Sequence, residues 1–220
     1  MLGGPRLDRW LVIVGALVAL FGQAIRLLTI GYEYIERGGK DGSVYASALV
    51  QGGVYALTRN PMYVGNALIT VGMTMVAGSP LIYLVVPPFF LFVYQAIVAT
   101  EEVYLRGRFG REYEQYCASV NRWAPSLRRA PTMLGGLRYD WRRAVRKELS
   151  TLAGLLTGLV LLPVWRTFFL EGFDAAKRHA PRALMLEVVV LVLYGTLVSL
   201  KRQRKLFYVS TSTDSVEEAP

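Results

Sequence analysis

The hydrophobic positions of this sequence are gathered into five long apolar segments, separated by polar and charged stretches. The segments cover residues 10–29, 62–77, 81–100, 149–170 and 183–200. An apolar helix needs about 20 residues to cross about 30 Å of hydrocarbon, and each segment comes near that length. The pattern therefore predicts an all-α, polytopic integral membrane protein with about five transmembrane helices.

The first segment has the features of a membrane span. Trp10 suits the interface at one end, and Arg26 is expected to extend its side chain to the membrane surface at the other. A secretory signal would need a shorter apolar run and a small-residue cleavage site, which Gly22, Gln23 and Ala24 provide poorly. We therefore expect a span and not a signal peptide.

The second and third segments are separated only by Gly-Ser-Pro at residues 78–80. Such a break between two apolar runs predicts a tight helical hairpin over residues 62–100. Pro87 and Pro88 interrupt the third segment, and a missing N–H there is expected to kink or locally open the helix.

The C-terminal half predicts a basic region, two more spans and a tail. The arginine-rich stretch between residues 101 and 148 is expected to be cytoplasmic, as is the C-terminus after the basic run 201–205. Five crossings then put the N-terminus outside. A short loop over 171–182 separates the last two spans, and Ala153, Gly154 and Gly158 are expected to serve helix packing.

These features divide the chain into five parts. They are a first transmembrane helix (1–30), a core with the hairpin (31–125), a basic cytoplasmic or interfacial segment (126–148), two C-terminal transmembrane helices (149–204) and a disordered tail (205–220).

The net charge and the cysteine count limit which classes of binding partner this protein is expected to have. The net charge of +9 would suggest nucleic acid for a soluble protein, but here the basic residues crowd around the ends of apolar runs. That placement instead predicts loop topology and contact with anionic headgroups, so membrane lipids and not nucleic acid are the expected partners. With Cys117 and His179 as the single residues of their kinds, no intrachain disulfide can form and no metal site is expected.

Three polar clusters flank the hairpin on its predicted cytoplasmic side, at residues 47–55, 59–65 and 101–117. Each has an ordinary structural explanation: Asn60 and Pro61 can start a helix, tyrosines can anchor at the interface, and the acids can form a solvated face with nearby arginines. Together they are more specific, because the hairpin should bring Glu101 near the Arg-Asn-Pro turn. A carboxylate, helix N-terminal N–H groups and phenols around one pocket suit a zwitterionic, partly aromatic ligand.

The motifs LVQGGVYALTRNPMYVG and EEVYLRGRFGREYEQYCASVNRWAP, in this order around the hairpin, resemble the isoprenylcysteine carboxyl methyltransferase family. A more distant likeness is to the membrane phospholipid N-methyltransferases. The resemblance covers roughly residues 40–125. It implies an all-helical membrane methyltransferase that uses S-adenosylmethionine without a Rossmann domain, and the chain has no GxGxxG motif after a strand.

The resemblance also implies site residues. Those matched to cofactor contacts in the family are Lys40, Ser47, Ala48, Leu49, Val50, Tyr55, Asn60, Pro61, Met62, Tyr63 and Glu101. Two positions depart from the family pattern. Asn60 replaces a histidine, and Ile97 replaces an arginine assigned to substrate.

The expected activity is transfer of a methyl group from S-adenosylmethionine to a lipophilic acceptor, either a lipid or an isoprenoid-like molecule. Ile97 cannot pair with a carboxylate, so a prenylcysteine acid is not the expected acceptor. We assign Ile97 and Arg59 to the substrate and leave the catalytic residue open among Tyr63, Glu102 and Tyr104.

The cofactor is expected to enter from the cytoplasm and the acceptor through the bilayer, in a bacterial inner membrane or an endoplasmic-reticulum-type membrane. Three alternatives stay open: a phospholipid N-methyltransferase, a non-catalytic scaffold of the same fold, and a membrane reductase of the steroid-reductase type that uses NADPH. The acceptor atom and the oligomeric state also stay open.

Overall fold

A computed structural model describes residues 5–32, 48–129 and 139–203. In this part of the chain there are α-helices and short 3₁₀ turns, without a strand. The helices are α1 (Pro5–Tyr32), α2 (Pro61–Ala77), α3 (Pro80–Phe109), α4 (Arg111–Ser119), α5 (Trp141–Glu171) and α6 (Phe173–Arg202). The 3₁₀ turns are Gly53–Ala56 and Leu127–Arg129. The all-α prediction is confirmed.

Four of these helices are long and apolar enough to cross a membrane: α1 from Arg9 onward, α3, α5 and α6. The predicted second span, α2, is apolar but has only 17 residues. Large side chains on the long helices face outward, with Leu84 on α3 75% exposed and Leu184 on α6 66% exposed. Such surfaces are stable against lipid tails, so the chain is an integral membrane protein.

Helices α1 and α2 run antiparallel and pack through glycines. A Cβ added at Gly15 would lie 2.6 Å from the carbonyl oxygen of Gly72, and one at Gly22 would lie 2.6 Å from that of Gly65. Contacts this short leave no room for a side chain. The glycines thus let the two backbones approach as small residues do in membrane helix pairs.

The predicted hairpin is confirmed at Gly78. This residue ends α2 with φ 67°, in the left-handed region that suits glycine, and its N–H donates to the carbonyl of Thr74 at 3.0 Å. Pro80 then begins α3, where its missing N–H costs nothing. Helix α3 continues through Pro87 and Pro88 to Phe109.

The boundaries near the C-terminus differ from the predictions. Helix α5 begins at Trp141, inside the predicted basic segment, and α6 begins at Phe173. The turn between them is therefore the single residue Gly172, with φ 88°, and the predicted loop over 171–182 is wrong. Polar residues at 171–182 suggest the end of a helix, but alanine, lysine and arginine are strong helix formers.

The small-residue face of α5 is only partly used for packing. Gly158 lies against Met73 of α2, so a side chain there would collide. Gly154 has no atom within 4 Å of an added Cβ, so it makes no close helix contact among the described residues of this chain. The tail predicted at 205–220 lies outside the described residues.

Arg26 is buried and does not reach the membrane surface as predicted. It is 9% exposed, and its Nε and Nη2 donate to the two carboxylate oxygens of Glu148 at 2.7 and 2.6 Å. Gln23 donates to the same carboxylate at 2.9 Å, and Arg26 also donates to Asn66 of α2. This network joins α1, α2 and α5, and the partner that keeps Arg26 inside comes from 122 residues away.

The C-terminal end of α1 is held by the start of α5. Arg143 donates to the carbonyls of Ile30 and Gly31 at 3.0 and 2.9 Å, and the N–H of Asp140 donates to Gly31 at 2.8 Å. These bonds satisfy carbonyls that the helix leaves without partners, and the guanidinium suits the negative end of the helix dipole. The end of α1 and the starts of α2 and α5 therefore lie at one end of the bundle.

Candidate active site

The hairpin brings Tyr63 and Glu101 together, as the sequence predicted. Tyr63 lies in the first turn of α2 and is 8% exposed, while Glu101 lies on the long C-terminal extension of α3. The phenolic hydroxyl donates to the Glu101 Oε1 at 2.8 Å. This bond holds one of the two carboxylate oxygens in place. Glu101 remains half-buried at the mouth of the hairpin.

A row of aromatic rings leads from this pair along the α2–α3 boundary. The Tyr94 ring centroid is 5.6 Å from that of Tyr63, and Phe90 follows at 5.9 Å from Tyr94. A narrow apolar crevice next to the row is lined by Thr70 of α2 and by Phe90 and Tyr94 of α3, among others. Ile97 lies one turn before Glu101 on α3 and is 39% exposed. This side of α3 therefore passes from apolar to acidic toward the bundle end.

Glu102 belongs to a separate, buried ion cluster. It is 3% exposed, and its two oxygens accept from Arg122 at 2.9 and 2.5 Å. Arg59 approaches at 3.5 Å. The hydrogen bond to Glu102 raises the pKa of Arg122. The interpretation of Glu102 as part of a solvated face is wrong for this residue, because α3 turns it toward the segment after α4.

The turn before α2 is joined to the segment after α4 by hydrogen bonds. The Arg59 N–H donates to the Asn121 carbonyl at 2.9 Å, and the Asn60 Nδ2 donates to the Arg122 carbonyl at 3.1 Å. The Thr58 hydroxyl donates to the carbonyls of Arg122 and Trp123. Asn60 is therefore committed to the protein backbone and makes no capping bond to the first turn of α2.

Helix α4 covers the 3₁₀ turn that carries Tyr55. Tyr113, Tyr116 and Val120 form a buried cluster with Leu49 packed against it, and the Tyr116 hydroxyl donates to the Tyr55 carbonyl at 2.8 Å. Burial raises the pKa of both the Tyr113 and Tyr116 phenols. These tyrosines thus support the backbone of the predicted cofactor segment in their neutral form.

The remaining predicted residues are placed as follows. Ala48 is exposed, Leu49, Val50, Met62 and Tyr104 are half-buried, and Tyr55 and Pro61 are buried. Lys40 and Ser47 lie outside the described residues. The predicted cofactor residues that are described therefore lie in two adjoining segments, the stretch before α2 and the first turn of α2, with Glu101 opposite the latter.

Two residues near this site were not singled out from the sequence. Arg122 holds Glu102, and its signal is the NRWAP segment that ends the second quoted motif. Tyr94 stacks toward Tyr63, and its signal was its position seven residues before Glu101, two helical turns along the same face. The position of Tyr94 follows from the periodicity of α3, whereas that of Arg122 depends on how the chain returns after α4.

The donor set at this mouth fits S-adenosylmethionine. Glu101 offers a carboxylate oxygen for an ammonium group, and the first-turn N–H groups of α2 are not capped by Asn60. The buried Arg59 Nε has no hydrogen-bond partner among the described residues, but the other two nitrogens of this guanidinium contact Glu102 and Cys117, so the side chain belongs to the ion cluster. Anionic, cationic and aromatic parts of one ligand could thus each find a complementary group.

The chain is similar to methyltransferases of two kinds. Residues 10–112 match the family model described as phospholipid methyltransferase. A protein from Oryza sativa subsp. indica named as a probable protein-S-isoprenylcysteine O-methyltransferase is 29% identical over 126 residues, which cover 54% of this chain and 64% of that protein. Its counterpart from subsp. japonica has the same values. The match thus spans less than two-thirds of each rice protein.

A shorter bacterial relative gives a higher identity. An uncharacterized protein from Haemophilus influenzae is 40% identical over 62 residues, covering 28% of this chain and 98% of that protein. No solved structure matches this chain.

Proposed function

We propose that this chain, which through residues 10–112 belongs to the membrane methyltransferase family of the phospholipid and isoprenylcysteine type, moves a methyl group from S-adenosylmethionine to a lipophilic acceptor. The observation that carries the proposal is the Tyr63–Glu101 hydrogen bond at the hairpin mouth. It joins two residues that the family resemblance assigns independently to the cofactor.

When bound, S-adenosylmethionine supplies a methyl group that is already activated on a sulfonium. The protein's contribution is then to hold the acceptor atom about 3 to 3.5 Å from the methyl carbon and in line with the bond that breaks. Glu101 is suited to hold the ammonium group of the cofactor. The first-turn N–H groups of α2, which no side chain caps, are suited to hold the carboxylate.

The acceptor must lose a proton if it is a hydroxyl or an ammonium group. Of the candidates, Glu102 already accepts from Arg122 through both oxygens, and we assign it to structure. Tyr63 lies next to Glu101 with its hydroxyl at the mouth, and Tyr104 is half-buried on the next turn of α3. A neutral phenol takes up the acceptor's proton only while giving up its own, and the Tyr63 hydroxyl already donates to the Glu101 carboxylate, which can receive that proton. Tyr104 would have to act as a phenolate, so Tyr63 is the better candidate for the relay.

The acceptor is proposed to approach from the bilayer along the Phe90–Tyr94–Tyr63 row. This boundary is apolar up to Ile97, which offers no charge to a substrate carboxylate. A neutral or amine-bearing lipid therefore fits better than a prenylcysteine acid. The match to the phospholipid methyltransferase model favours a lipid amine as the second candidate acceptor.

The site is proposed to face the cytoplasm. The bundle end that carries Tyr63 and Glu101 also carries the exposed arginines 106, 108 and 111 and the C-terminal end of α6 with Lys201. Basic residues accumulate on the cytoplasmic side of membrane proteins. S-adenosylmethionine is polar and would reach this end from water.

The test is incorporation of labelled methyl groups. The purified full-length chain, reconstituted in lipid nanodiscs, is incubated with methyl-labelled S-adenosylmethionine and a total lipid extract. We expect label in the organic phase, with product analysis identifying an oxygen or a nitrogen acceptor. A thermal-shift arm compares S-adenosylmethionine with NADPH. Absence of labelled lipid together with absence of cofactor binding would overturn the proposal, and stabilisation by NADPH alone would favour a reductase.

A further inference from the structure

A second crevice, here called the α5–α6 crevice, lies between these two helices, outside the family match and beside the Gly172 turn. Its volume is about 380 Å³, and its walls come from Val164, Trp165 and Phe168 of α5 and from Phe173, Ala176 and Lys177 of α6. The α2 end at Gly78 lies against Arg166 of the same part of α5. The crevice is therefore at the opposite end of the bundle from Tyr63 and Glu101.

The lining surface of this crevice is apolar, and Lys177 contributes to it through its aliphatic chain. Aromatic side chains form much of the surface, and Trp165 and Phe173 are 43% and 66% exposed, so the crevice opens outward. A volume of this size lies in the range of small-ligand sites. Since the protein lies in a membrane, the molecules that reach such an opening are lipids.

Lys177 is the charged residue at this crevice. It follows the Gly172 turn by five residues, about 7.5 Å along a helix, so it lies near the end of the bundle, where lysine and tryptophan meet headgroups. Within the described residues its ammonium makes no ion pair, and Arg178 and Arg182 are also exposed on this part of α6. The acids Glu171 and Asp174 nearby balance only part of this charge.

We propose that the α5–α6 crevice binds an anionic phospholipid, with an acyl chain against Trp165 and Phe168 and the phosphate on Lys177. An apolar slot with one cation at its mouth complements the two parts of such a lipid. A zwitterionic lipid would bring its own cation close to Lys177 and bind less tightly. The proposal does not depend on methyl transfer.

The first experiment uses Trp165 as the reporter. A variant with Trp10, Trp123 and Trp141 changed to Phe keeps Trp165 as the one indole, and it is reconstituted with lipids brominated on the acyl chain. We expect brominated phosphatidylglycerol to quench the fluorescence at several-fold lower mole fraction than brominated phosphatidylcholine. Lys177→Gln should remove this difference. Arg182→Gln removes the same charge from the same part of α6 outside the crevice and should preserve it.

A second measurement leaves all the tryptophans unchanged and needs no fluorescent reporter. Native mass spectrometry of the full chain, released from mixed-lipid nanodiscs, should show retained phosphatidylglycerol for the unmodified protein and for Arg182→Gln, and several-fold less for Lys177→Gln. Equal quenching by the two lipids, or equal retention in the Lys177 and Arg182 variants, would overturn the proposal.

Discussion

The hydroxyl of Tyr63 donates to the Glu101 carboxylate at 2.8 Å across the hairpin, between residues 38 positions apart in the sequence. The bond places a phenol and a carboxylate at the mouth of two membrane-associated helices. The carboxylate keeps an oxygen that this bond does not use. A ligand ammonium is the group that would complete it.

Glu101→Gln should raise the dissociation constant for S-adenosylmethionine about 10- to 100-fold, because a hydrogen bond to a charged group contributes about 1.5 to 3 kcal/mol. Tyr63→Phe should raise it by less, since the ring is retained. Isothermal titration calorimetry measures both. Glu114→Gln, an exposed glutamate on α4, is the control and should bind as the unmodified protein does. Unchanged affinity in both site variants would contradict the assignment.

Glu102→Gln should act on folding and not on a ligand. The change leaves Arg122 and Arg59 facing a neutral amide inside the protein, which should cost about 1 to 3 kcal/mol of unfolding free energy. Thermal denaturation followed by circular dichroism should show a lower Tm, whereas Glu101→Gln should leave Tm close to its original value. A normal Tm with lost methyl transfer would instead make Glu102 a catalytic residue.

Removing one partner of the Arg26–Glu148 pair should destabilise the bundle strongly. Arg26→Met or Glu148→Leu alone leaves a buried charge without its counter-ion, at a cost of about 3 to 5 kcal/mol. The double variant leaves no unpaired charge and should recover most of that loss. Denaturation in a detergent series measures all three proteins. If the double variant lost as much unfolding free energy as the two single variants together, the unpaired charge would not be the cause of their instability.

Gly72→Ala should lower stability, although alanine is the better helix former by about 1 kcal/mol. An added Cβ would lie 2.8 Å from the Cβ of Ala19 on α1, so the two helices would have to separate. Gly195→Ala on α6 is the matched control, because no atom lies within 4 Å of its added Cβ. That variant should keep or raise the Tm, and a similar loss in both would point away from α1–α2 packing.

Stability should fall in alkali as Tyr113 and Tyr116 are forced to ionise. Both pKa values are raised by burial, so between the ordinary tyrosine pKa of about 10 and the folded-state value the unfolded chain loses protons more readily. Stability is therefore retained below about pH 10 and declines above it. Tyrosinate absorbance at 295 nm should show late-titrating tyrosines, Tyr113 and Tyr116 among them, that ionise with unfolding. Tyr116→Phe should remove one of them, and early ionisation of all tyrosines would contradict the burial.

The sequence predicted the parts of this molecule that depend on neighbours along the chain. Gly-Ser-Pro at 78–80 specified the hairpin, and the hairpin length then placed Glu101 opposite the start of α2. The sequence could not show that Arg26 turns inward, because its partner Glu148 comes from a helix 122 residues later. The direction of Glu102 was also missed, since it depends on where α4 and the segment after it return.

The buried pair also limits how this architecture can be shortened. The family match ends at residue 112, while the carboxylate that neutralises Arg26 is supplied by residue 148. A chain of this type that stopped after α4 would hold an arginine in its interior with no counter-ion, and a change at either position alone would carry the same penalty. Arg26 and Glu148 are therefore expected to be gained and lost together, so that relatives without the α5–α6 hairpin should carry an uncharged residue where this chain has Arg26.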